Sequence, residues 1–251
     1  MQRPSAIRRE IAGIGRRTTK MGNNVRVPEG PEAYRALIVD FGGVLTTPMQ
    51  EAMAAFAAEA GIEFQELARA ALGAYTGGED PLVEDFETGA ISEEEFCVEF
   101  ARRLSDVSGR HVGSEGLVRR MFKVELDEGM LEVVRAIRRS GLKTGLLSNS
   151  WGSGGYPRRR LDELFDQVVI SGEVGLRKPD PAIFRFVAER LDVAATGCVF
   201  VDDHAGHLKA ALAEGMTTIL HRTPAQTIAE LESLLQLRLS GTRPSGAAPT
   251  S

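Results

Sequence analysis

The sequence predicts an α/β protein: a Rossmann-like parallel sheet with a helical cap inserted after its first strand. Two observations carry that expectation. Short continuous apolar runs at 36–39, 168–170 and 198–201 read as strands buried on both faces, because half-exposed strands alternate polar and apolar residues. From Asp127 onward such runs alternate with amphipathic stretches, the pattern of a parallel sheet covered by helices.

The elements follow in order. Residues 1–34 have no apolar periodicity and read as a flexible basic arm. Residues 1–35 hold eight basic and three acidic side chains. Ala36-Leu37-Ile38-Val39 is the first strand, ending at Asp40, and Gly42-Gly43 lets the backbone turn sharply after it. Residues 49–122 are rich in Ala, Glu, Phe and Leu at helical spacing and form the cap. Within it Ser92 and Glu95 make a capping box, and Phe96 and Phe100 share a face.

Asp127 caps a helix that stacks Met130, Val133, Val134 and Ile137 and stops at Gly141. A strand from Leu142 to Leu147 ends at Ser148-Asn149, a short helix covers Arg158 to Phe165, and Val168 to Ile170 is a strand. Asp180-Pro181 opens a helix. Cys198 to Val201 is a strand ending at Asp202-Asp203, His207 to Ala213 is helical, and Thr217 to Leu220 is the last strand. Thr223-Pro224 begins the final helix. The expected domains are therefore a core of 35–48 and 123–238, a cap of 49–122, and a flexible tail of 239–251.

Composition limits function. The 251 residues carry 30 basic and 35 acidic side chains, net −5, so no global attraction to nucleic acid or to a membrane surface is expected. No segment approaches the ~18 apolar residues of a membrane span. Arg16-Arg17 lacks the apolar stretch that an export signal needs. Cys97 and Cys198 lie far apart in apolar runs and read as buried free thiols, which points to a reducing, cytoplasmic setting.

In open α/β sheets ligands bind at the carboxyl ends of strands. Here those ends carry Asp40, Ser148-Asn149 and Asp202-Asp203. Asp40, beside a glycine turn, is a candidate nucleophile or metal ligand. Adjacent carboxylates at 202 and 203 repel and call for a cation, either a hard oxygen-liganded ion such as Mg²⁺ or the ammonium of Lys178. Ser148 is a candidate donor to a phosphate oxygen.

Asp40-Phe41-Gly42-Gly43-Val44, Leu147-Ser148-Asn149, Arg177-Lys178-Pro179-Asp180 and Phe200-Val201-Asp202-Asp203 resemble the four ordered motifs of the haloacid dehalogenase superfamily. The resemblance spans about residues 36–235, and the helical insert resembles that superfamily's C1 cap. Residues 170–179 are similar to the branch holding glucose-1-phosphate phosphatase and the phosphatase domain of soluble epoxide hydrolase. The resemblance implies phosphoryl transfer to Asp40, with Mg²⁺ held by Asp40, the Gly42 carbonyl, Asp203 and Asp202, the last as ligand or just behind. It further implies that Ser148, the Asn149 backbone and Lys178 hold the phosphoryl oxygens. The expected partner is a small phosphorylated metabolite, such as a sugar phosphate, with the protein acting as monomer or homodimer.

Two departures stand out. Gly42 occupies the position where most phosphatases of this superfamily carry an acid/base aspartate. His207 stands at a polar position of the fourth motif. Of the two nearby histidines, His204 is expected to be the better placed for proton transfer, with His207 facing its own helix. Three readings remain open on the sequence: a phosphatase, a catalytically weak phosphate-binding relative, and a 2-haloacid dehalogenase in which Asp40 attacks carbon.

Overall fold

In a computed structural model of the protein, the described residues are 34–70, 80–152 and 155–239. The arm up to residue 33, Tyr75 in the cap and the tail from residue 240 lie outside them. Five parallel strands form one sheet: β1 (Ala36–Val39), β2 (Lys143–Ser148), β3 (Gln167–Ile170), β4 (Cys198–Asp202) and β5 (Thr217–Leu220). Their order is β3-β2-β1-β4-β5. The chain moves outward from β1 through β2 to β3, then crosses back to β4 on the other side of β1. That reversal opens a crevice above the carboxyl ends of β1 and β4, where such sheets bind ligands.

Alternate residues of each strand enter opposite cores, as the period of two demands. Leu37, Val39, Val199 and Val201 pack with α6 (Glu128–Arg139), α7 (Arg158–Leu164) and α11 (Pro224–Leu235). Ala36, Ile38, Cys198 and Phe200 pack with α9 (Pro181–Leu191) and α10 (Ala205–Ala213). Between β3 and α9 lies the single-turn helix α8 (Ser171–Val174). The apolar-run strands are thus buried on both faces, as their sequence indicates.

The cap has its own core. Its described helices are α1 (Met49–Ala60), α2 (Phe64–Ala70), α3 (Pro81–Glu87), α4 (Glu93–Ser108) and α5 (Leu117–Met121). The Ser92–Glu95 capping box forms at the start of α4, and that helix buries Phe96, Phe100 and Leu104. Phe86 stacks on Phe96 with ring centres 4.1 Å apart, so it is cap core. Two crossing segments join cap to sheet, and they pair with each other: Thr46 bridges Leu126, and the Asp127 N–H donates to the Leu45 carbonyl at 2.9 Å.

Two boundaries move. Tyr34, assigned to the arm, packs on the sheet core and its hydroxyl lies 3.1 Å from Thr217 Oγ1. Leu239, assigned to the tail, is buried, and its N–H donates to Glu232 Oε1 at 2.6 Å. Both side chains join the sheet core, which local sequence pattern could not show. Both cysteines are buried and free, as expected. Among the described residues no helix is long and apolar enough to cross a membrane.

Candidate active site

The crevice gathers a tight ion cluster. Lys178 Nζ has no exposed surface and lies 2.8 Å from Asp40 Oδ1 and 2.8 Å from Asp202 Oδ2. Asp40 stands directly after β1. Its N–H donates to the Val201 carbonyl at 2.9 Å, and its Oδ1 accepts from the Phe41 N–H at 2.7 Å. The turn beyond it depends on Gly43, which has φ +72°, and a Cβ there would sit 2.3 Å from Asp203 Oδ2. Only glycine lets the Asp203 carboxylate come this close to the loop.

Three carboxylates face one ammonium. Burial pushes the Asp40 carboxyl up to about 7, and the Asp202 and Asp203 charges add to this against the pull of Lys178. Burial, reinforced by Asp202, also raises Asp203 to about 6. Burial alone would raise Asp202 too, but Lys178 and His207 outweigh it and hold that carboxyl below the ordinary range. For Lys178, burial disfavours the ammonium, yet Asp202 and Asp40 prevail and lift it above a normal lysine. The cluster is therefore short of positive charge.

The two aspartates after β4 differ. Asp202 is fully buried and saturated: Oδ2 takes Lys178, Oδ1 takes the His204 N–H at 2.7 Å, and His207 Nδ1 lies 3.1 Å from both oxygens. Asp203 stands at the crevice rim, with residue surface open to solvent while the surrounding protein still desolvates its carboxylate. The expectation for the histidines reverses. The His204 side chain is exposed and offers Asp202 only its backbone, whereas the His207 ring reaches the cluster. Burial lowers the His207 imidazole below its ordinary value, so it is neutral near pH 7. Oxygens of Asp40 and Asp202 and a ring nitrogen of His207 all lie within 4.8 Å of one another.

Ser148 and Asn149 come to the same place. Ser148 Oγ is fully buried, 2.9 Å from the Tyr156 hydroxyl, and both hydroxyls lie 3.1 Å from the Asn149 carbonyl. The Ser148 hydroxyl therefore has partners in this structure, Tyr156 and the Asn149 carbonyl. The Asn149 side chain clamps Lys178: Oδ1 accepts from the Lys178 N–H at 2.8 Å and Nδ2 donates to the Lys178 carbonyl at 3.0 Å.

One cap residue reaches this network, and local sequence gave no sign of it. Glu87, at the end of α3, is buried and accepts from Arg177 Nε at 2.6 Å and from Asn149 Nδ2 at 3.2 Å. Its backbone carbonyl accepts from Ser171 Oγ. Burial raises its carboxyl above the ordinary value, against the pull of Arg177. Glu84 adds a second contact to Arg177 at 3.1 Å. Glu87→Ala is expected to lower stability by about 2–3 kcal/mol, since it strips a buried partner from both Arg177 and Asn149. Glu87→Gln, which keeps an acceptor, is expected to recover part of this. Thermal unfolding of the two variants is the check, and equal Tm values would show that the carboxylate holds nothing.

Beside the cluster a cavity of about 400 Å³ opens between cap and core, floored by Phe41 and Gly42 and walled by Met49, Val118, Phe122, Trp151 and Tyr156, with Glu93 and Arg119 also lining it. Trp151 and Tyr156, on either side of a glycine-rich stretch of sequence after β2, therefore line the cavity.

The geometry agrees with the comparisons. A model of the haloacid dehalogenase-like hydrolase family matches residues 34–215. Mouse acyl-CoA dehydrogenase family member 10 is 30% identical over 86% of this chain and 21% of its own length. Pig bifunctional epoxide hydrolase 2 is 30% identical over 82% of this chain and 40% of its own. The chain thus spans less than half of these relatives. A family enzyme from Bacteroides thetaiotaomicron, solved with magnesium and inorganic phosphate, shares the fold at a TM-score of 0.54 and 21% identity, covering 76% of this chain and 95% of that one. The chain belongs to the haloacid dehalogenase-like hydrolase family.

Proposed function

We infer that the protein is a Mg²⁺-dependent phosphatase that hydrolyses a small phosphate monoester through a phosphorylated Asp40. The observation that carries this reading is the buried Asp40–Lys178–Asp202 cluster at a strand end, with Asp203 at its rim and too little positive charge for its carboxylates. A hard divalent cation suits such a donor set. Asp40, Asp203 and the Gly42 carbonyl are the groups to hold Mg²⁺, with Asp202 behind them because its oxygens are already taken. Bound there, Mg²⁺ supplies the charge that keeps Asp40 ionised and offsets its repulsion from an anionic phosphoryl group.

The chain's own groups do the rest. An Asp40 oxygen forms a bond to phosphorus as the ester bond breaks, leaving the alcohol oxygen to collect a proton from water, since residue 42 brings no acid. Lys178 neutralises the transferring group, held in place by the Asn149 clamp. Water then cleaves the acyl phosphate, releasing inorganic phosphate and restoring Asp40.

Phosphate release from a panel of esters tests this. Turnover is expected with Mg²⁺ and is expected to stop in EDTA. Asp203→Asn is expected to raise the Mg²⁺ concentration for half-maximal rate by about 10–100-fold, because a neutral amide replaces a charged ligand. Full activity in EDTA sinks the metal assignment.

A further inference from the structure

We propose that the alcohol portion of the substrate is apolar and ring-sized, seated in the cavity between cap and core, rather than a sugar. This rests on the phosphatase reading of the adjoining cluster. The cavity shares residues 41 and 42 with the loop that follows Asp40, so an ester bound there runs from the nucleophile directly into it.

The walls are the first argument. Phe122 and Trp151 form a tilted pair with centres 4.2 Å apart, and Phe41 and Tyr156 form another at 4.9 Å. Tyr156 presents its ring, because its hydroxyl is committed to Ser148 and Asn149. Met49 and Val118 complete an apolar lining. A sugar ring would bury several hydroxyls against these surfaces, each losing its water without a replacement partner. Arg119 and Glu93 are the charged side chains of the lining, too few to satisfy a polyol.

Gly42 is the second argument. A Cβ at this position would lie 3.2 Å from Met49 Sδ and 3.7 Å from the Trp151 indole nitrogen. Any longer side chain at 42 would therefore enter the cavity. The same glycine that removes an acid from the loop lets Met49 and Trp151 close over bare backbone, so the end of the cavity next to Asp40 is apolar.

Cyclohexylmethyl phosphate and glucose 6-phosphate make the test, since both are esters of primary alcohols on six-membered rings and differ chiefly in polarity. The apolar ester is expected to have the higher kcat/KM by about 10-fold or more. Phe122→Ala is expected to shrink that ratio, and Phe122→Leu, which restores apolar volume, to recover most of it. Calorimetric binding of both esters to Asp40→Asn with Mg²⁺ reads the same preference without turnover. Equal or reversed preference in binding overturns the proposal, as does a ratio that Phe122→Ala leaves unmoved, even when phosphate is released. A binding preference for the apolar ester with no phosphate release from either upholds the cavity assignment and removes the phosphatase reading instead.

Discussion

Asp40→Asn is expected to abolish phosphate release, by at least about 10³-fold, and to leave Tm unchanged or higher. The two halves have separate causes. An amide cannot form the acyl phosphate, so the reaction loses its covalent route. The same change removes a buried negative charge that its surroundings disfavour, for the Asp40 carboxyl is already pushed up to about 7 by burial and by Asp202 and Asp203. Asparagine keeps the shape and still offers an oxygen to the Phe41 N–H, 2.7 Å from Asp40 Oδ1. Loss of activity with an intact or raised Tm therefore separates a nucleophile from a structural acid. Wild-type turnover in the variant refutes the assignment. Initial rates on 4-nitrophenyl phosphate, with thermal unfolding of the same samples, supply both readings.

What the sequence made legible was whatever is written locally. Strand ends could be read because apolar runs stop at Asp40, Ser148 and Asp202, and strand topology then brings those ends together. Cap helices could be read from their spacing and from the Ser92–Glu95 box. Glu87 could not: its contacts to Asn149 and Arg177 join segments 62 and 90 residues apart, and a glutamate at a helix end looks like any solvated charge. The same holds for Tyr156, whose hydroxyl reaches Ser148 from a glycine-rich loop. His207 carries a usable local signal. It sits in the first turn of α10, where side chains tilt back toward the helix start. That tilt returns its ring to Asp202, while His204, at the cap position, turns out to solvent.

Lys178→Met is expected to cost about 3–5 kcal/mol of stability at pH 8.5 without Mg²⁺, and much less at pH 5. Methionine fills a similar volume, so the loss comes from charge. Lys178 is the cation between Asp40 and Asp202, and without it two buried carboxylates face each other, supported only by neutral donors. The protein answers by protonating Asp40. Its folded carboxyl already lies above the ordinary value, at about 7, and rises further in the variant. A carboxyl raised on folding makes the native state bind more protons than the unfolded chain. Its stability contribution is therefore present below the unfolded value and lost as pH rises through the folded one. The Tm gap between wild type and variant should widen from pH 5 to pH 8.5, and Mg²⁺ should narrow it at the higher pH by supplying charge to the same oxygens. A gap independent of pH would mean that Lys178 stabilises by packing, against the Phe200 ring 5.7 Å away for instance, and not by neutralising the cluster. Lys178→Arg is expected to fail as a rescue, because a planar guanidinium does not fit a fully enclosed site shaped around one ammonium held 2.8 Å from each of two carboxylates.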